Sequence, residues 1–192
     1  MAMKAALTCL FVAGALFGPV RGAQAADRVS RAVATQVEAL FDGAHADFLY
    51  PGNMPEQLLD TLELATSDED RPHAVGPHLL FLSGCRRHSC DEKGAVVIDD
   101  RNRKLQAIGI RHFHCRYEDA PPHGQSAPAG PLRRTSTCDT EPTLALFFFG
   151  RTPRAAVDRD VAAAMEGWGR RVGYSSKVVH RCGTRSGKAV CT

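Results

Sequence analysis

His78-Leu79-Leu80-Phe81-Leu82-Ser83 leads through Gly84 into Cys85-Arg86-Arg87-His88-Ser89-Cys90. The first run is short and apolar, the pattern of a buried strand. Beyond the second, Ala95-Val96-Val97-Ile98 and the run from Leu105 to Phe113 flank Asp99-Asp100-Arg101-Asn102-Arg103. Two strand-like runs around a polar turn read as a β-hairpin. A strand, a short cysteine-bracketed segment and a hairpin therefore place a sheet in the middle of the chain.

Outward from this centre the signals are helical. Val29, Ala32, Val33, Val37, Leu40 and Phe41 form a stripe along Arg28 to Phe41, closed by Gly43. Pro55 to Leu64 holds a second short helix after the turn at Tyr50-Pro51-Gly52-Asn53. Leu144 to Phe149 is a continuous apolar run, read as a central strand. Val157, Val161, Ala164, Met165 and Trp168 then repeat at helical spacing along Arg154 to Trp168. The stretch 116–137, with Pro121-Pro122 and Gly130-Pro131, reads as a long loop. The expected fold is α+β: an antiparallel β-sheet flanked by helices, with a protruding disulfide loop.

The N-terminus bounds the compartment. Lys4, an apolar run from Ala5 to Val20 and Ala23-Gln24-Ala25 have the form of a cleaved secretory signal, assigned to residues 1–25. The run is shorter than the roughly 20 residues of a spanning helix. A periplasmic or secreted product of one domain is expected, with no membrane and no nucleic-acid partner. Cys9 leaves with the signal, and Cys85, Cys90, Cys115, Cys138, Cys182 and Cys191 remain. In an oxidising compartment these read as disulfides, although they permit several connectivities. Nearest-neighbour pairing is preferred, because each pair closes a plausible loop. A bond across 115–138 restrains the unfolded chain most, by about 3 kcal/mol in the chain-entropy picture.

Charge is nearly balanced overall, at +3, but unevenly placed. Asp27 to Asp70 holds ten acidic residues against Arg28 and Arg31. Arg170, Arg171, Lys177, Arg181, Arg185 and Lys188 make the C-terminal stretch basic, and residues 173–192 read as a basic extension stapled by a disulfide. Such asymmetry acts mainly on rates of association.

No enzyme motif is present: no G-x-S-x-G, P-loop, H-E-x-x-H or Rossmann fingerprint. Four residues separate Cys85 from Cys90, so this is not a C-x-x-C redox centre. An enzyme and a cofactor are not expected. His112 and His114 lie two apart on a predicted strand and could face zinc or copper together, which keeps a periplasmic metal-binding protein as one alternative. A disulfide-stabilised binding or structural protein, with the ring as a staple, is another.

The ring Cys85-Arg86-Arg87-His88-Ser89-Cys90 resembles the C-K-P-H-D-C loop of the Ivy family, periplasmic inhibitors of vertebrate (c-type) lysozyme. The likeness runs from Leu79 to about Phe113, and that family also has an export signal, an early helix, a strand into the motif and a hairpin after it. The resemblance makes 26–172 an Ivy-like domain. It implies that the ring enters a lysozyme cleft with His88 against the two catalytic carboxylates, and it admits a homodimer. Another peptidoglycan-cleaving glycosidase is the alternative target. Arg87 stands where the family has Pro, Ser89 where it has Asp, and Arg86 keeps the charge of Lys. The further four cysteines and the C-terminal stretch depart from the simple family pattern.

Overall fold

A computed structural model describes residues 31–120 and 133–192, so the expected export signal lies outside the described residues. Helix α1 covers residues 31–40 and ends before Gly43, whose φ of +75° suits a residue without Cβ. A small ribbon of β1 (His45–Ala46) and β2 (Gly52–Asn53) leads into α2 (Met54–Asp60), which has proline in its first turn. After a 3₁₀ turn at Asp68–Asp70 come β3 (His73–Gly76), β4 (Leu79–Arg86), β5 (Ser89–Asp99) and β6 (Lys104–His112). They pair as an antiparallel meander. Strands β7 (Cys115–Ala120) and β8 (Arg133–Cys138) form a separate two-stranded ribbon. Then follow β9 (Thr143–Phe149), α3 (Arg159–Val172), β10 (Ser176–Arg185) and β11 (Lys188–Cys191).

The main sheet has seven strands in the order β11-β10-β9-β6-β5-β4-β3. Its strands alternate between two cores, as a two-residue side-chain period requires. Val96, Ile98, Ile108, Ile110 and Phe147 face Val33, Val37, Phe41 and Leu58 of the α1–α2 side. Val97, Ala107, Leu144, Leu146 and Phe148 face Val161, Met165 and Trp168 of α3. Each of the Val, Leu, Ile, Phe and Met side chains among them contributes about 1.5–3 kcal/mol on burial. Helix α3 is started by the Asp158 carboxylate, which accepts from the amides of Asp160 and Val161 at 2.9 and 3.2 Å. It settles on Gly109, where a Cβ would stand 2.7 Å from Met165 and 2.8 Å from Trp168.

The α+β fold is therefore present, with three differences from the sequence reading. One strand pair is parallel: β10 lies beside β9 after crossing over through α3. The stretch set apart at 173–192 supplies β10 and β11 of the same sheet, and Cys182 enters the core beneath α1. The stretch 116–137 is strand at both ends rather than loop throughout. No helix among the described residues is long and apolar enough to cross a membrane.

Candidate functional site

The ring is the turn of the β4–β5 hairpin. Arg86 pairs with Ser89, Arg87 and His88 form the bend, and a disulfide joins Cys85 to Cys90, whose Cα atoms are 4.8 Å apart. His88 has φ of +68°, a left-handed conformation that few non-glycine residues adopt, histidine among them. It is exposed, and no hydrogen bond or ion pair holds its ring among the described residues. Cys85, by contrast, is fully buried.

Both arginines of the ring turn back onto the protein. The Arg86 guanidinium donates to Glu92 at 2.8 Å and lies over the Tyr50 ring, 5.6 Å from its centroid. Glu92 is 8% exposed while Arg86 is half-buried, and the hydrogen bond between them raises the pKa of Arg86. Tyr50 in turn donates to Asp60 at 3.0 Å; burial and that bond push its hydroxyl well above the usual phenol range. The Arg87 amide donates to Glu63 at 3.2 Å, and its Nε stands 3.6 Å from the same carboxylate oxygen. Of the ring's three basic side chains, only His88 is left facing outward without a partner.

The hairpin is also strapped from outside. The chain leaving α2 crosses it, and Leu64 and Cys85 exchange backbone hydrogen bonds at 3.1 and 2.9 Å. The Gly94 amide donates to the Thr61 carbonyl at 3.0 Å. Gly84 and Gly94 face each other in the hairpin, and their missing side chains make this crossing possible. A Cβ on Gly84 would stand 3.0 Å from the Leu64 carbonyl oxygen, and one on Gly94 would collide with the Thr61 hydroxyl. On the β6 side, Arg111 donates to the carbonyls of Asp91 and of Gly173, the latter at 2.9 Å.

The remaining cysteines pair as neighbours: Cys115 with Cys138 at the base of the β7–β8 ribbon, and Cys182 with Cys191 across β10 and β11. Registers Lys93↔Arg111 and His112↔Thr143 put the ring and this ribbon at the same end of the sheet. His112 and His114 do not form a ligand pair on one strand face, because β6 stops at His112. His112 is buried against Phe48, with ring centroids 4.9 Å apart; burial lowers its pKa, and its Nδ1 has no partner among the described residues. His114 is half-exposed, 3.8 Å from the Asp47 carboxylate. Among the described residues, no three His, Cys, Asp or Glu side chains gather as a metal site.

Sequence reasoning found the ring and missed its supports: Tyr50, Glu63, Glu92 and the strap at Thr61–Leu64. The two glycines carried the only sequence signal for them, since glycine inside a strand marks a close backbone approach. Comparison with protein-family models, characterised proteins and solved structures finds no match to this chain.

Proposed function

We propose that the protein is a periplasmic lysozyme inhibitor that occludes the active-site cleft with the Cys85–Cys90 loop, His88 meeting the catalytic carboxylates. One observation carries this reading: an exposed, unpartnered imidazole stands at the tip of a strapped hairpin whose two arginines are occupied elsewhere. A probe mounted in this way loses little freedom on binding, so more of each contact appears as affinity.

The chemistry suits the target. Retaining glycosidases keep two carboxyl groups about 5 Å apart across the sugar bond. A protonated imidazole donates from both nitrogens and can reach both groups, and a neutral one donates to one and accepts from the other when that one is protonated. Charge-assisted bonds in a desolvated cleft are worth about 1.5–3 kcal/mol each. Pairing of Arg86 and Arg87 with Glu92 and Glu63 removes most of the charge conflict that two free arginines would create with a basic enzyme. The acidic N-terminal third adds a salt-sensitive attraction to such an enzyme. Three disulfides fit an oxidising compartment. A c-type lysozyme is the first target and another peptidoglycan-cleaving glycosidase the second, because Ser89 lacks the charge of the family's Asp.

The purified oxidised protein should block lysis of a cell-wall substrate. His88→Ala should weaken inhibition roughly a hundredfold while leaving the thermal midpoint unchanged, since the side chain supports nothing else. Equal inhibition by His88→Ala would sink the loop mechanism. Absence of inhibition by the parent against every lysozyme class would sink the function, leaving the ring as a staple.

A further inference from the structure

One end of the sheet carries the ring, and the other carries a group of arginines. β5 runs from Ser89 to Asp99, so about 30 Å of strand lies between the two ends. At the far end β10 finishes beside β9, where Cys182 pairs with Phe149 and Phe148 with Ala107. Arg181 and Arg185 stand two residues to either side of Gly183 and share its face of β10. Val179, next in that alternation, and Val190, opposite Gly183 on β11, lie on the same face, 42% and 46% exposed.

The chain leaving β9 adds to this face. The Gly150 amide donates to the Cys182 carbonyl at 2.9 Å. Thr152 and Pro153 then lie over Gly183, where a Cβ would stand 2.7 Å from the Thr152 Cα and 2.5 Å from the Pro153 Cδ. Arg151 and Arg154, on either side of that contact in the chain, are thus brought to Arg181 and Arg185. All four arginines are exposed, and none makes an ion pair or hydrogen bond through its side chain among the described residues. The nearby carboxylates are engaged: Glu166 by Lys177, Asp42 by Lys188, Asp99 by Arg101, and Asp158 as the cap of α3. Asp160 stands against Gly76, on the opposite margin of the sheet.

Unpaired cations gathered on one face repel one another, and an anionic partner relieves that repulsion. The guanidinium fork matches phosphate oxygens two at a time. Arginines spread along a strand and its adjoining loop, with exposed valines between them, fit a plane of phosphodiesters over an apolar layer better than one small anion. We infer that this face docks on the anionic phospholipid headgroups of a bilayer. Arg151, Arg154, Arg181 and Arg185 meet the phosphates, and Val179 and Val190 lie toward the apolar layer. The protein then rests on a membrane without crossing it, which replaces the expectation that no membrane is involved. The ring, at the opposite end of the sheet, stays uncovered, and the docking does not depend on what the ring binds.

The oxidised protein should sediment with vesicles of equal parts phosphatidylglycerol and phosphatidylcholine at low salt. It should stay in solution with phosphatidylcholine alone and be released as salt rises. Arg181→Glu with Arg185→Glu should weaken vesicle binding about twentyfold or more, roughly fivefold for each arginine lost, at an unchanged thermal midpoint. Arg151→Glu with Arg154→Glu should do the same, and decides the matter if the strand variant fails to fold. Arg116→Glu with Arg170→Glu changes the net charge equally at the ring end, where Gly169 packs on Leu144 and β7 leaves Cys115, and should leave binding within about twofold. Equal loss in that control overturns the inference, as does a parent that ignores anionic vesicles. Competition by inorganic phosphate would mark a small-anion site, and capture by heparin without vesicle binding an acidic polysaccharide; either result also overturns it. Inhibition of lysis in solution should be unchanged in Arg181→Glu with Arg185→Glu, so this surface and the ring stand or fall separately.

Discussion

His88 takes its left-handed φ at a bend where the flanking residues are pinned, Arg86 by Glu92 and Arg87 by Glu63, so the fold holds the imidazole outward. A residue of the opposite kind is Asp70, half-buried, whose carboxylate is held by its neighbours. Burial works to raise its pKa, but bonds from the Ser83 hydroxyl at 2.6 Å and from the amides and hydroxyls of Thr66 and Ser67 outweigh that and hold it at about 2. A carboxylate depressed in the folded state stabilises the protein above its ordinary value of 3.8, and the benefit disappears as pH falls through about 2. Urea midpoints should therefore fall between about pH 4 and pH 2, and the fall should be shallower in Asp70→Asn. That variant should itself be less stable at pH 7 by about 1–2 kcal/mol. A parallel pH response in the two proteins would remove Asp70 as the cause. At this scale the ring was legible because its residues are contiguous; Glu63, 24 positions from Arg87, was not, because nothing local to either residue records their meeting.

Among the elements, the β4–β5 hairpin depends on the strap that crosses at its two facing glycines. Gly94→Ala would drive a methyl group into Thr61, and overpacking of this kind costs about 1–3 kcal/mol. The expected signature is a lower urea midpoint together with faster exchange of the Cys85 amide, which donates to Leu64. Unchanged exchange at Cys85 would mean that the strap does not brace the ring. The strands at the centre were readable because each is an apolar run, and Leu144–Phe149 was correctly read as interior. β10 was not: it buries few of its side chains, and Lys177, His180 and Arg181 hide it in a basic stretch. The signal that could have found it is Ser186-Gly187, both with positive φ, a two-residue hairpin turn between Arg185 and Lys188.

For the whole molecule, the sheet carries two cores, and the one on the α1–α2 side continues into the final strands through Cys182 and Ala189. Chains ending at Gly173 lose β10 and β11, uncover the edge of β9 and remove Cys182 from beneath α1. Such a truncation should aggregate and show no cooperative thermal transition; one melting within about 5 °C of the parent would show that the last strands are dispensable. The parallel pairing of β9 with β10 also has a consequence in time. A chain is made and moved N-terminus first, so the meander that carries the ring can assemble while the partner of β9 is still to come. Until Ser176–Cys182 arrives, Leu-Ala-Leu-Phe-Phe-Phe presents one bare, strongly apolar margin to its surroundings. The most hazardous moment in the life of this protein is therefore the interval between the emergence of β9 and of β10, and α3, which lies between them in the chain, sets its length.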